Sequence, residues 1–222
     1  MLIFMRKHAK FFYVFFVIII ISFIFFYAGP IHDKETIAII EIGDKKLYLT
    51  DYWRLHDNLR NYFQNTYQGQ FTPEMEKTLK LKDKTIELMV ANQLLLIAAE
   101  KYGFEVTDNE LNDSIINDPA FKRDNVFKEE VYNRVLQLNR ITVGAFETKR
   151  REELTIAKVR NFIGLSSGFV ISDLPRELTA DPKTMQSILP QILMDSKEKA
   201  LISYINSMKK TIPIKIRYEM IS

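Results

Sequence analysis

The chain has 222 residues, enough for one hydrophobic core of moderate size with a short appendage. It contains no cysteine, which excludes disulfide frameworks, thiol catalysis and thiolate metal sites. The formal net charge is +3, but Arg6, Lys7 and Lys10 all precede the first acidic residue, Asp33; the remainder carries 28 basic and 28 acidic residues and lacks the basic excess of a nucleic-acid-binding domain.

From Phe11 to Ala28 every residue is apolar or aromatic except Ser22, Tyr13 and Tyr27, and none is charged. A helix needs roughly 20 such residues to cross the hydrocarbon core of a bilayer. Residues 11–29 are therefore expected to be a transmembrane anchor, with residues 1–10 kept in the cytoplasm by their positive charge and residues 33–222 exported as one domain. The span is longer than the usual apolar region of a cleaved signal peptide, about 7 to 15 residues, and Tyr27-Ala28-Gly29-Pro30 is a poor cleavage site.

In the exported part, Ile37 to Ile42 reads as a short apolar strand, Gly43 to Lys46 as a turn and Leu47 to Leu49 as the returning strand. Thr50 or Asp51 is expected to cap a helix that runs to about Tyr67 and stops at Gly69. Thr72-Pro73-Glu74 opens another, with proline in the first turn, where its missing N–H is harmless. Leu81 to Tyr102 is the most apolar helix and the expected centre of the core, closed by Gly103. Thr107-Asp108-Asn109-Glu110 has the pattern of a capping box. Pro119 ends that helix, Phe121 to Phe127 reads as a loop, and Lys128 to Asn139 as a helix.

Thr142 caps a longer helix, which Gly164 is expected to close, with a loop over Leu165 to Ala180. Asp181-Pro182 opens a last helix to about Lys210, with a bend or break expected at Pro190. Ile212 to Met220 then alternates apolar and polar residues, the pattern of a strand buried on one face. Because an isolated strand cannot satisfy its backbone, it is expected to pair with the Ile37 to Leu49 hairpin.

Chemistry is sparse. The three histidines are His8, His32 and His56, too few and too scattered for a metal cluster, and no G-x-S-x-G elbow or glycine-rich phosphate loop is present. No enzyme activity and no cofactor are expected, and His56 reads as a surface or partly buried residue without a catalytic role. Glu129-Glu130 and Glu152-Glu153 are interleaved with basic residues, as on a solvated helix face.

The order of elements and several motifs resemble the amino-terminal chaperone module of SurA-like and PpiD-like periplasmic proteins. The resemblance is carried by Met5 to Lys10 with the aromatic-rich span, Leu49-Thr50-Asp51-Tyr52, Asn92 to Leu96, Val106 to Leu111, Pro119-Ala120-Phe121, Tyr132 to Leu136 and Phe146-Glu147. It implies a mainly α fold, in which a single amino-terminal transmembrane helix precedes a helical domain with a small sheet, and residues 183–220 return to complete that domain. Family members commonly carry a parvulin-type prolyl isomerase domain between the two parts. Here only Leu165 to Asp181 lies between them, too little for a domain of about 50 residues or more, so no isomerase activity is expected.

The resemblance further implies a holdase at the inner membrane that shields unfolded or nascent exported polypeptides, including outer-membrane proteins. Its partners would be those polypeptides and, through the anchor, the lipid, in proximity to the translocon and without nucleic acid. The competing class is a structural tether or accessory subunit holding one folded partner at the membrane, and a third reading is a residual isomerase. Tyr62, Phe63, Tyr67, Phe71 and Met75 crowd one helix end and the following loop and are the candidate lining of a client groove, against the alternative that they are core.

Overall fold

The computed structural model describes residues 37–166 and 182–221. The Phe11 to Ala28 span and nearly all of the Leu165 to Ala180 stretch lie outside the described residues; among the described residues no helix is long and apolar enough to cross a membrane.

Strands β1 (Ala38–Ile42) and β2 (Lys45–Tyr48) form the expected hairpin around Gly43, whose φ of +59° is a conformation that glycine adopts without strain. Helix α1 (Leu49–Thr66) follows at once. Its cap differs from expectation: the N-cap is Tyr48 and no side chain caps the first turn. The Leu49 N–H donates to the Ile37 carbonyl (2.9 Å), so the first amide of the helix is satisfied from the hairpin.

Helix α2 (Pro73–Thr78) starts at Pro73 with the Thr72 hydroxyl accepting from the Met75 N–H. Helix α3 (Leu81–Tyr102) ends on Gly103 in the left-handed conformation, both as read from the sequence. It is the central element. Leu81, Ile86, Met89, Val90, Leu94, Leu95, Ala98 and Ala99 are buried, and most of them share one core with Ile39, Ile40 and Ile42 of β1. Each large aliphatic side chain removed from water there stabilises the fold by about 1.5–3 kcal/mol.

A second core lies in an arm built from helix α4 (Asp108–Asn117), a 3₁₀ turn (Pro119–Phe121), strands β3 (Lys122–Arg123) and β4 (Val126–Phe127), helix α5 (Glu129–Leu138) and the start of helix α6 (Val143–Leu165). The capping box at Thr107 is complete. Phe121 to Phe127 is not the simple loop expected: Asp124 and Asn125, both at positive φ, make the tight turn of a two-residue hairpin between β3 and β4. Both residue types tolerate that conformation, and the primed turn matches strand twist.

Helix α6 belongs to both cores, giving Phe146 and Leu154 to the arm and Ile156, Val159 and Ile163 to the main core. Gly164 does not close it. The helix continues to Leu165, and Gly164 is buried where a Cβ would come within 3.1 Å of Lys197 Cγ on helix α7 (Pro182–Thr211). Close helix approach explains this glycine. Helix α7 is continuous through Pro190, where a bend or break was expected, and does not break; Pro190 and Gln186, whose carbonyl loses its helical donor, are both exposed, so solvent can satisfy that carbonyl.

Strand β5 (Ile214–Ile216) pairs antiparallel with β1, placing Ile216 opposite Ile40 and Ile214 opposite Ile42 in a sheet of order β2-β1-β5. The two ends of the described chain meet, as expected. The strand is shorter than its alternation: Tyr218–Met220 is a 3₁₀ turn that drops Ile221 into the main core, where Lys82 Nζ donates to its carbonyl (3.0 Å).

Candidate functional site: the aromatic end of helix α1

The last turns of α1 and the segment entering α2 are joined by Gln68 and Gly69, both at positive φ (50° and 80°), which reverses the chain within a few residues. That reversal lays the Phe71 ring parallel to Phe63 (centroids 5.5 Å apart, interplanar angle 16°) and to Tyr67 (6.1 Å, 18°). Phe63 and Tyr67 complete the triangle at 6.3 Å, and Tyr62 meets Phe63 edge-on at 5.6 Å. Such pairs add about 0.5–1.5 kcal/mol beyond area burial.

Four of the five expected groove residues are thus brought together. Met75 stands half-buried on the first turn of α2. Phe71 is 8% exposed and backs the stack, whereas Tyr67 and Tyr62 are 40% and 64% exposed. None of the five belongs to either hydrophobic core. Lys84 Nζ of α3 lies 5.9 Å from the Phe63 centroid, a cation at the face of the ring.

The other end of α1 holds a feature that the sequence did not announce. His56 is buried, deeper than the surface or partly buried position expected, because Tyr52 stacks on it at 5.9 Å and Trp53 meets it edge-on at 5.6 Å. Its Nε2 stands 3.3 Å from Glu76 Oε1, close enough for an ion pair but out of hydrogen-bond alignment, so both ring nitrogens are buried without a hydrogen bond. Arg60 Nε reaches the other Glu76 oxygen at 3.4 Å. No residue of α2 is buried, so this half-buried carboxylate is its polar attachment to α1. Burial, reinforced by the negative charges of Asp83 and Glu76, pushes the Tyr52 hydroxyl up to about 12. The only advance signal was helical: Tyr52 and His56 are four residues apart and so share a face.

Glu129, Glu130 and Glu153 are exposed and Glu152 partly so, in keeping with a solvated face. Among the described residues no group of three or more histidines and carboxylates could hold a metal ion.

These features define a mainly helical module, closed by a sheet from both ends of the chain, with an aromatic surface left outside its cores. The chain belongs to the SurA-like N-terminal domain family, whose model matches residues 1–160. Among curated proteins it is similar to Chaperone SurA of Salmonella typhimurium and of Salmonella typhi, in each case 23% identical over 124 residues, which is 56% of this chain and 26% of the relative. It is also similar to Periplasmic chaperone PpiD of Haemophilus influenzae, 26% identical over 91 residues, 41% of this chain and 14% of that one. The matched region thus spans about a quarter or less of the length of these relatives.

Proposed function

We propose that this protein is a periplasmic folding chaperone, anchored in the inner membrane by residues 11–29, that holds unfolded exported polypeptides without isomerising their prolines. Family membership and the relatives named SurA and PpiD support the chaperone class and the periplasmic side. The uncharged Phe11 to Ala28 span supports the anchor. The interval between α6 and α7 is too short for an inserted domain, which supports the absence of isomerase activity.

One observation carries the holdase reading: the Phe63, Tyr67 and Phe71 stack lies outside both cores and keeps the outer side of Tyr67, together with Tyr62, open to solvent. An apolar wall with a rigid backing suits capture of transient apolar segments, since rings bury large areas and lose little conformational freedom.

The test is aggregation of an unfolded outer-membrane protein in the presence of the full-length chain in lipid nanodiscs. Suppression at stoichiometric amounts, with prolyl isomerisation of a model peptide unchanged, is the expected result. Failure on several unfolded clients would sink the reading and favour a tether that holds one folded partner.

A further inference from the structure

Three strand ends meet where β1 begins. β2 returns so that Tyr48 stands opposite Ala38, and the Leu49 N–H donates to the Ile37 carbonyl at 2.9 Å. β5 is also antiparallel to β1, and the Arg217 N–H donates to the Ile39 carbonyl at 2.9 Å. The 3₁₀ turn that follows, Tyr218–Met220, therefore lies at the same end of the sheet as Ile37 and Tyr48. Ile221 anchors that turn in the main core.

This end carries four apolar or aromatic side chains in the open: Ile37 is 39% exposed, Tyr48 36%, Tyr218 55% and Met220 45%. None of them belongs to either core. The charges at its rim are of both signs. Arg217 pairs with Glu41 (3.2 Å) and Arg54 with Asp51 (3.3 Å), and Lys46, Lys215 and Glu219 are exposed. Rings and aliphatic groups, not a net charge, are what this end offers a partner.

The length of the tether sets what that partner is. Seven residues, Pro30 to Thr36, separate the proposed anchor from Ile37. At about 3.3–3.6 Å per residue they reach no further than about 25 Å, whatever their conformation. The start of β1 is thus held close to the bilayer surface. Tyrosine suits that position, because its ring is apolar while its hydroxyl stays hydrated, the combination enriched at membrane–water boundaries.

We infer that the sheet end formed by Ile37, Tyr48, Tyr218 and Met220 seats in the headgroup layer of the bilayer, a second lipid contact made by the folded domain itself. This rests on the anchor in the function proposed above and adds an orientation to it. Helix α1 begins at this end and runs about 27 Å, at 1.5 Å per residue, past Tyr62 towards Tyr67. Seating the sheet therefore fixes how the client surface stands relative to the membrane.

The chain has no cysteine, so a single introduced one reports a single position. The experiment uses the full-length chain in phosphatidylcholine nanodiscs containing headgroup spin-labelled lipid. An environment-sensitive fluorophore is attached at Met220→Cys or, for comparison, at Asn133→Cys on the exposed side of the arm helix α5. Quenching at position 220 should exceed that at 133 by about twofold or more, as for groups lying in the interface. Adding Tyr218→Asn should reduce the excess, and adding Tyr48→Asn as well should bring it close to the arm value, with the circular dichroism spectrum unchanged.

Equal quenching at the two positions, in a chain that stays in the nanodisc, would overturn the inference and leave the anchor standing. Excess quenching that survives both tyrosine substitutions would assign the proximity to the tether alone and overturn the inference too. Quenching that appears only when anionic lipid is added would assign the contact to charge, with the same result. A chain that is not retained by nanodiscs would overturn the anchor and, with it, this inference.

Discussion

Two aromatic clusters of similar size are built in opposite ways. In the arm, Phe121, Tyr132 and Phe146 meet edge to face, with centroids 4.9 to 5.7 Å apart and interplanar angles of 71° to 88°. At the end of α1, Phe63, Tyr67 and Phe71 lie parallel within 23°. Edge-to-face rings fill space in all directions and close on themselves, and Phe121 and Tyr132 are accordingly buried. Parallel rings make a layer with two sides. Phe71 in that layer is buried, while Tyr67 stays 40% exposed.

This contrast can be broken most directly by truncating rings. Phe121→Ala in the arm should cost about 3–5 kcal/mol in urea unfolding, the range for an aromatic removed from a packed core. Phe71→Ala should cost less, roughly 1–2 kcal/mol, because the cavity opens to solvent on one side. If the two costs were equal, the α1 stack would be a third core rather than a surface.

A smaller effect tests how the arm is fastened. Lys158, the Thr107 N–H and the Thr107 hydroxyl hold the Glu110 carboxyl down at about 2, against an ordinary 4.5. A depressed carboxyl stabilises the folded state above its unfolded value, so this contribution is complete above about pH 4.5 and is lost as the pH falls towards 2. Glu110→Gln should flatten the acid limb of stability over that window, and Thr107→Ala should cost about 1 kcal/mol at neutral pH. The aromatic surface of α1 should show neither response. The smallest stability change belongs to the exposed rings: Tyr62→Ala and Tyr67→Ala should alter unfolding by no more than about 0.5 kcal/mol each, while weakening suppression of client aggregation. Loss of stability without loss of suppression would place these tyrosines in the fold.

The centre of the main core and the entry to the arm were legible because their signals are local. The α3 pattern from Leu81 to Tyr102, the glycine after it and the capping box at Thr107 each specify their structure within a few residues. What was hidden depends on distant partners. The first amide of α1 is answered by the distant Ile37 carbonyl, and Tyr48 takes the cap position expected at Thr50 or Asp51. Gly164 looked like a helix stop and is a contact point for Lys197. His56 is buried by its own helix neighbours but answered by Glu76, a residue on another helix. For the candidate site, the crowding of Tyr62, Phe63, Tyr67, Phe71 and Met75 was visible in the chain. Which ring would back the layer and which would face outward was not, because that follows from the reversal at Gln68 and Gly69.

The pairing of β5 with β1 has a consequence for the order of events in a cell. Glu41 and Arg217 are joined at 3.2 Å although they lie 176 residues apart. In vectorial export from the amino terminus, β1 emerges early and must wait with one edge unpaired until β5 follows. Its Ile40 and Ile42, buried in the finished sheet, would spend that interval as exposed sticky edge. On the proposed function, the protein therefore has, during its own birth, the same vulnerability as the unfolded chains it would hold.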